Sequence, residues 1–331
     1  MNTVIDVFLI TGFLGSGKTT FLNHFIDAFP PERKLTILMN EFGEIGIDGI
    51  LVEGDDLDIL EINRGSIFCA CVKTDFIKGL VRILEDIQPD ILVIEATGTA
   101  DPGDMKRDLR LPIFRNRFHF RDQICIIDAA SFPAVYETFA SVEKQMTAAT
   151  CFVVNKIDLA KTLEIERIRE IIHRHHPDPT VFETVFGRIP VGRFTTCRNE
   201  ADAKTSFAKT IRREADVEAA IAALLKDPFR VTLPPDALSS TVWTLKEATT
   251  EAFHALVRQL PSRLLRAKGF VRLNGEIRLF NWVMGRPEII AADTREIPDH
   301  ILGRLVFIGS ADVLRELSTL GRHHPLVLEP A

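Results

Sequence analysis

Cysteine is scarce in this chain. Its 331 residues hold five, at positions 69, 71, 125, 151 and 197. An odd, scattered set excludes a disulfide framework and points to a reducing compartment, the cytoplasm. Excess positive charge is missing too. The formal net charge is -6, so neither nucleic acid nor an anionic membrane is expected as the main partner. The apolar start MNTVIDVFLITGFLG lacks a basic leader, and its hydrophobic run breaks at glycines. Neither a signal peptide nor a transmembrane helix is therefore expected. Low-complexity tracts and internal repeats are also absent. What remains is ordinary for a soluble globular protein, with 46% hydrophobic and 26% charged residues and enough length for two domains.

Periodicity predicts an α/β first part. Residues 4–11 (VIDVFLIT) read as a buried strand and 18–29 as a helix, with Phe21, Leu22, Phe25, Ile26 and Phe29 on one face. Strands are expected at 35–40, 91–95, 124–128 and 151–155, and helices at 163–175 and at 75–88, the latter ended by Pro89. Strands separated by helices imply crossover connections and a mostly parallel sheet covered on both faces. From about 195 to 238 the pattern weakens. A polar stretch, an Ala-rich helix at 216–226 and DPFRVTLPPD read as a linker. Beyond it come an alternating strand at 241–245, a helix around 250–266, strands near 270–273, 277–283 and 304–309, and a closing helix at 311–320. The expected organisation is an α/β phosphate-loop domain over 1–195, a linker over 196–238 and a smaller α+β domain over 239–331.

The first chemistry-bearing motif lies between the first strand and the first helix. Gly12, Gly15, Ser16, Gly17, Lys18 and Thr19, with Thr20 next in line, match the phosphate-binding pattern in the context that supports it. Glycines let the backbone curl so that its N–H groups meet phosphate oxygens, and the helix N-terminus adds its dipole. Lys18 is expected on the β- and γ-phosphates and Thr19 on Mg²⁺. Asn155, Lys156 and Asp158 end another strand. A carboxylate there can accept the paired N–H donors of guanine, a pair adenine lacks, so GTP is expected over ATP. Lys156 can lay its stem along the base, and Asn155 can brace the loop.

Glu95 ends the strand ILVIE, where a carboxylate can hold Mg²⁺ through water. Gly98 can turn its N–H toward a γ-phosphate. The glycine-dotted segment NEFGEIGIDG carries Glu41, Glu44 and Asp48, and Asp48 is the candidate to approach the metal or the attacking water. Cys69 and Cys71 then follow in GSIFCACV. Two thiolates at this spacing can chelate one soft or borderline ion, with Glu41 or Glu44 as a third ligand. The same two cysteines can equally pack as small apolar side chains. His173, His175 and His176 cluster near a helix end, where His173 and His176 share a face. Paired metal ligation, a dipole contact and a place in the nucleotide pocket all remain open for them. His323 and His324 form a second, tail pair.

Taken together, GFLGSGKT, NEFGEIGID, ILVIEATGTADP and VVNKIDL, in that order, resemble the CobW-type metal-chaperone GTPases, relatives of HypB and UreG. RAKGFVRL and RLVFIG are similar to that family's C-terminal domain. The resemblance implies GTP hydrolysis, a GTP/GDP cycle with Mg²⁺, binding of Zn²⁺ or Co²⁺, and delivery of that metal to a client protein. It also admits a nucleotide- or metal-dependent homodimer. The family's metal ligands lie in a C-x-C-C motif after the NEFGE segment. Here three thiols have become two, whichever way Gly65, Cys69 and Cys71 are aligned. The rival expectation is a GTP-switched assembly factor that binds a client without carrying metal. A phosphate-loop kinase is a third, which Asp158 opposes.

Overall fold

The computed structural model describes residues 4–30, 32–41, 58–63, 70–114, 117–190, 192–195, 222, 236, 238–292, 297 and 301–330. At 40–41, 58–63, 70–72, 193, 195 and 329–330 this description is of the backbone alone. The chain divides into two compact units, with the boundary after Asp236.

The first unit is built on strands β1 (Ile5–Thr11), β2 (Leu35–Glu41), β3 (Asp58–Asn63), β4 (Ile91–Glu95), β5 (Phe118–Asp128), β6 (Cys151–Asn155) and β7 (Thr180–Glu183). They form one seven-stranded sheet in the order β3-β2-β4-β1-β5-β6-β7. β1 pairs in parallel with β4 and β5, and the pairs β2–β4, β5–β6 and β6–β7 are parallel as well. Every residue of β1, β4 and β6 is buried, as expected for strands covered on both faces. The period of two divides them between two cores. Val7, Leu9, Leu92 and Ile94 join one core with Phe76 and Leu80. Phe8, Ile10, Val93 and Val153 join the other with Phe21, Leu22 and Phe25. The chain leaves β1 with neighbours on either side, and such a switch point opens a crevice at the carboxyl ends of the strands.

The helices of this unit are α1 (Lys18–Asp27), α2 (Ala70–Arg82), α3 (Pro102–Leu109), α4 (Phe132–Thr138), α5 (Ala140–Ala148), α6 (Thr162–His175) and the short α7 (Gly192–Thr195). Several depart from the sequence reading. α2 starts at Ala70 rather than at 75, so Cys71 stands in its first turn. Past Arg82 it widens into a π turn, Ile83–Ile87, and stops at Gln88 in the left-handed region, before Pro89. α1 closes at Asp27 instead of 29. β5 is longer than expected because its polar first half pairs with β1, where His119 and Arg121 meet the buried Asp6 at 2.9 and 3.0 Å. α3, α4, α5, β3 and β7 are additions. α3 is started by Asp101, whose carboxylate accepts from Gly103 N at 2.8 Å, with Pro102 at the first helical position.

The second unit holds β8 (Leu238–Leu245), α8 (Thr250–Val257), β9 (Arg266–Leu273), β10 (Glu276–Val283), β11 (Arg286–Ala291), β12 (Arg304–Ser310), α9 (Ala311–His323) and β13 (Val327–Pro330). Its sheet runs β11-β10-β9-β12-β8-β13 with antiparallel pairing. Trp243, Phe253, Leu256, Phe280, Phe307 and Leu317 make its core. α8 ends at Val257 and not at 266, because Pro261 cannot continue a helix and residues 266–273 are drawn into the sheet. Two tight hairpins organise β9 to β11. Asn274-Gly275 and Met284-Gly285 all have positive φ, the backbone that two-residue hairpin turns require.

Candidate nucleotide site

The loop between β1 and α1 has the conformation its glycines allow. Gly12, Gly15 and Gly17 lie at φ 143°, 76° and 102°. A Cβ on Gly12 would stand 2.3 Å from Ile126 O, and one on Gly17 would stand 2.4 Å from Asn155 Nδ2. No side chain caps the start of α1, so its first N–H groups point into the loop without a side-chain acceptor. Ser16 is buried, and its Oγ has no hydrogen-bond partner among the described residues. Lys18 is buried as well, and its ammonium donates to Gly12 O at 3.0 Å and Phe13 O at 3.3 Å. These loop carbonyls hold the cation over the loop, beside the N–H groups at the start of α1. A phosphate chain fits that donor set.

Next to the loop, Thr19 Oγ1 donates to Glu95 Oε1 at 3.4 Å, and the carboxylate is buried at the tip of β4. A hydroxyl and a buried carboxylate side by side are the oxygen ligands a Mg²⁺ ion takes. Thr20 is exposed on the following position of α1. Gly98 presses against the loop from the other side. A Cβ there would lie 2.6 Å from both Leu14 N and Leu14 Cδ2.

The third part comes from the tip of β6. Asn155 is buried, donates Nδ2 to Ser16 O at 2.9 Å and accepts Gly187 N at 2.9 Å. It thus ties the phosphate loop to the turn after β7. Lys156, at φ 59°, donates to Gly15 O at 2.7 Å and to Asp128 Oδ2 at 2.8 Å. Its ammonium is a tie between loop and strand, which is compatible with the expected role of its stem along a base. Asp158 is exposed, and no hydrogen bond or ion pair from a described residue occupies its carboxylate. Two residues of this arrangement were not foreseen. Asp128 anchors Lys156 and also accepts Ala130 N at 3.0 Å; the sequence signal was an acid ending a strand, as in Glu95. Gly187 is the other, at φ 68° with Phe21 Cα 3.0 Å from its Cβ position.

The remaining candidates are placed as follows. Asp48 and Cys69 lie outside the described residues, as does Glu44. Glu41 closes β2 and Cys71 belongs to α2, with only their backbones described. Among the described residues no three His, Cys, Asp or Glu side chains gather as metal ligands. The histidines make separate contacts. His173 Nδ1 contacts Arg169 O, and His176, beyond the end of α6, meets Met146 O at 2.9 Å and the Phe152 ring. His175 lies between Tyr136 Oη at 2.8 Å and Thr147 Oγ1 at 3.2 Å, and burial lowers its pKa. His324 Nδ1 accepts Leu326 N, and burial lowers its pKa too. No helix among the described residues is long and apolar enough to cross a membrane.

A left-handed glycine loop running into a helix, at a parallel sheet's switch point, with a strand-tip carboxylate beside it, defines a phosphate-loop nucleotide-binding protein. The chain belongs to the CobW/HypB/UreG family, whose nucleotide-binding domain matches residues 6–183. The C-terminal domain of the cobalamin synthesis protein cobW matches residues 238–317. Similar proteins include the zinc chaperone YeiR of Escherichia coli, 36% identical over 51% of this chain and 54% of its own length. The zinc chaperone CobW of a Sinorhizobium species is 29% identical over 56% of this chain and 60% of its own length. The zinc chaperone YjiA of Escherichia coli is 26% identical over 82% and 83%. The matched region thus spans little more than half of the first two relatives.

Proposed function

We propose that this protein binds and hydrolyses GTP, and uses the nucleotide state to capture a transition metal and release it to a client protein in the cytoplasm. The observation that carries the nucleotide reading is the double tie of Asn155 and Lys156 to Ser16 O and Gly15 O. It registers the base-reading segment on the phosphate loop while leaving Asp158 exposed for a guanine. Loop N–H groups and Lys18 bind the β- and γ-phosphates, and Gly98 N–H meets the γ-phosphate. Thr19, with Glu95 behind it, would hold Mg²⁺, which when bound neutralises charge that develops on the phosphoryl oxygens. Asp48 orients the attacking water. Zinc is preferred over cobalt because the similar proteins are named zinc chaperones. Cys69 and Cys71 with Glu41 are the proposed cargo ligands, and an open ligand set suits an ion that must leave again.

Competition binding tests the first half. GTP should displace a fluorescent GDP analogue and ATP should not. Asp158→Ala should weaken GTP binding roughly 100-fold, the loss of two charge-assisted hydrogen bonds. Equal competition by ATP in the unaltered protein would overturn the reading. For the cargo, equilibrium dialysis with zinc should show a site that Cys69→Ser with Cys71→Ser removes. Unchanged zinc content in that variant would favour the assembly-factor reading instead.

A further inference from the structure

One buried polar ring joins the phosphate loop to helix α5, and the nucleotide contacts do not account for it. Gln145 is buried, and its Nε2 donates to Gly98 O at 3.0 Å and to Ala100 O at 3.3 Å. The orientation is chemically required. A flipped amide would set its oxygen against two carbonyl oxygens. Gln123 is also buried and donates Nε2 both to Gln145 O at 3.1 Å and to Thr11 Oγ1 at 3.3 Å. Thr11 precedes Gly12, and Gly98 packs on Leu14, so the ring closes on the phosphate loop. The neighbouring Lys144 donates to Asp101 Oδ2 at 2.8 Å, a second hold on the same loop.

Gln145 anchors the carbonyl side of Gly98. The N–H, on the other side of the Cα, keeps its freedom to turn about φ, a rotation glycine permits at least cost. The loop also holds unused hydrogen-bonding capacity. Thr97 Oγ1, Thr99 Oγ1 and Gln145 Oε1 are buried and lack partners among the described residues. At its far end α5 is fastened by Asp236, whose two oxygens accept Ala140 N and Ser141 N at 3.0 Å each. Asp236 stands two positions before Leu238, where β8 starts.

We infer that Gln145 is a positioning residue for the response to the γ-phosphate, and that α5 carries the position of the Gly98 loop to Asp236, at the entry to the C-terminal unit. This rests on the proposed GTPase reading. The test compares Gln145→Met and Asp236→Ala with the unaltered chain. GDP affinity, affinity for a non-hydrolysable GTP analogue with Mg²⁺, and single-turnover hydrolysis are measured, with thermal melts as the control for folding.

Gln145→Met should keep GDP affinity within about twofold while analogue affinity and the hydrolysis rate fall about tenfold, because only the triphosphate contact is misplaced. Asp236→Ala should move the same quantities in the same direction by about threefold. Full discrimination between GTP and GDP in Gln145→Met would overturn the inference. So would an equal loss of GDP and GTP affinity, which marks a merely structural brace. A silent Asp236→Ala would overturn the relay to Asp236. If Gln145→Met does not fold, Lys144→Met removes the outer hold of the same helix and must show the same selective loss. Failure of the unaltered protein to bind guanine nucleotide would instead sink the underlying reading.

Discussion

Gly12 tolerates no side chain in the phosphate loop. Its φ of 143° and the Ile126 carbonyl 2.3 Å from the Cβ position leave no room for a side chain. Gly12→Ala should cost about 2 kcal/mol of stability and abolish nucleotide binding, read by urea melts and by fluorescent-GDP titration. Lys106 shows a different kind of residue-scale constraint. Its ammonium donates to Ala148 O at 2.7 Å and lies over the Phe120 ring at 4.7 Å. Burial, and then the nearby Arg110, still lower its pKa to about 8 from 10.5. Desolvation therefore outweighs both contacts. Between these two values the unfolded chain holds a proton that the folded chain has lost, so stability rises with pH through that window. Denaturant melts at pH 7.5 and 10 should show the unaltered protein gaining on Lys106→Met at the higher pH. A constant difference would show that the ammonium is not strained.

At the scale of elements, the early start of α2 changes the reading of GSIFCACV. Cys71 stands in the first helical turn, four positions ahead of the start at 75 that periodicity predicts. Elements with mostly apolar content, such as β1, β4 and β6, were legible because burial on both faces writes a nearly continuous hydrophobic run. The first half of β5 was not. Its letters FHFRDQ are polar because Asp6 neutralises Arg121 and contacts His119, a pairing between strands far apart in sequence. In the second unit, Gly269 faces Leu305 across the β9–β12 pair, and a Cβ there would lie 2.0 Å from Arg304 O. Gly269→Ala should spread those strands and destabilise the second unit by roughly 1–3 kcal/mol, measured by urea unfolding. An unchanged midpoint would show that the strands separate freely.

At the scale of the whole molecule, each unit has its own core, and the proposed nucleotide residues Gly12 to Thr20, Glu95 and Asn155 to Asp158 all belong to the first. GDP at 100 times its Kd should therefore stabilise that unit by about 2.7 kcal/mol. Calorimetry with and without nucleotide should show one transition shifting and the other holding still. A single transition that shifts as a whole would mean the units unfold as one. By itself the sequence determined the phosphate loop, the Asn155–Asp158 segment proposed to read the base, the strand-tip Glu95 and the α/β class, because each is a local pattern whose glycines, carboxylate or apolar period stands in consecutive letters. The tertiary structure alone decided that Asp128 holds Lys156, that Asn155 spans Ser16 and Gly187, that the histidines go separate ways, and that Gln145 grips the Gly98 loop. Those are contacts between segments distant in the chain. Their partners are chosen by which strands lie side by side, and a one-dimensional pattern carries no record of that choice.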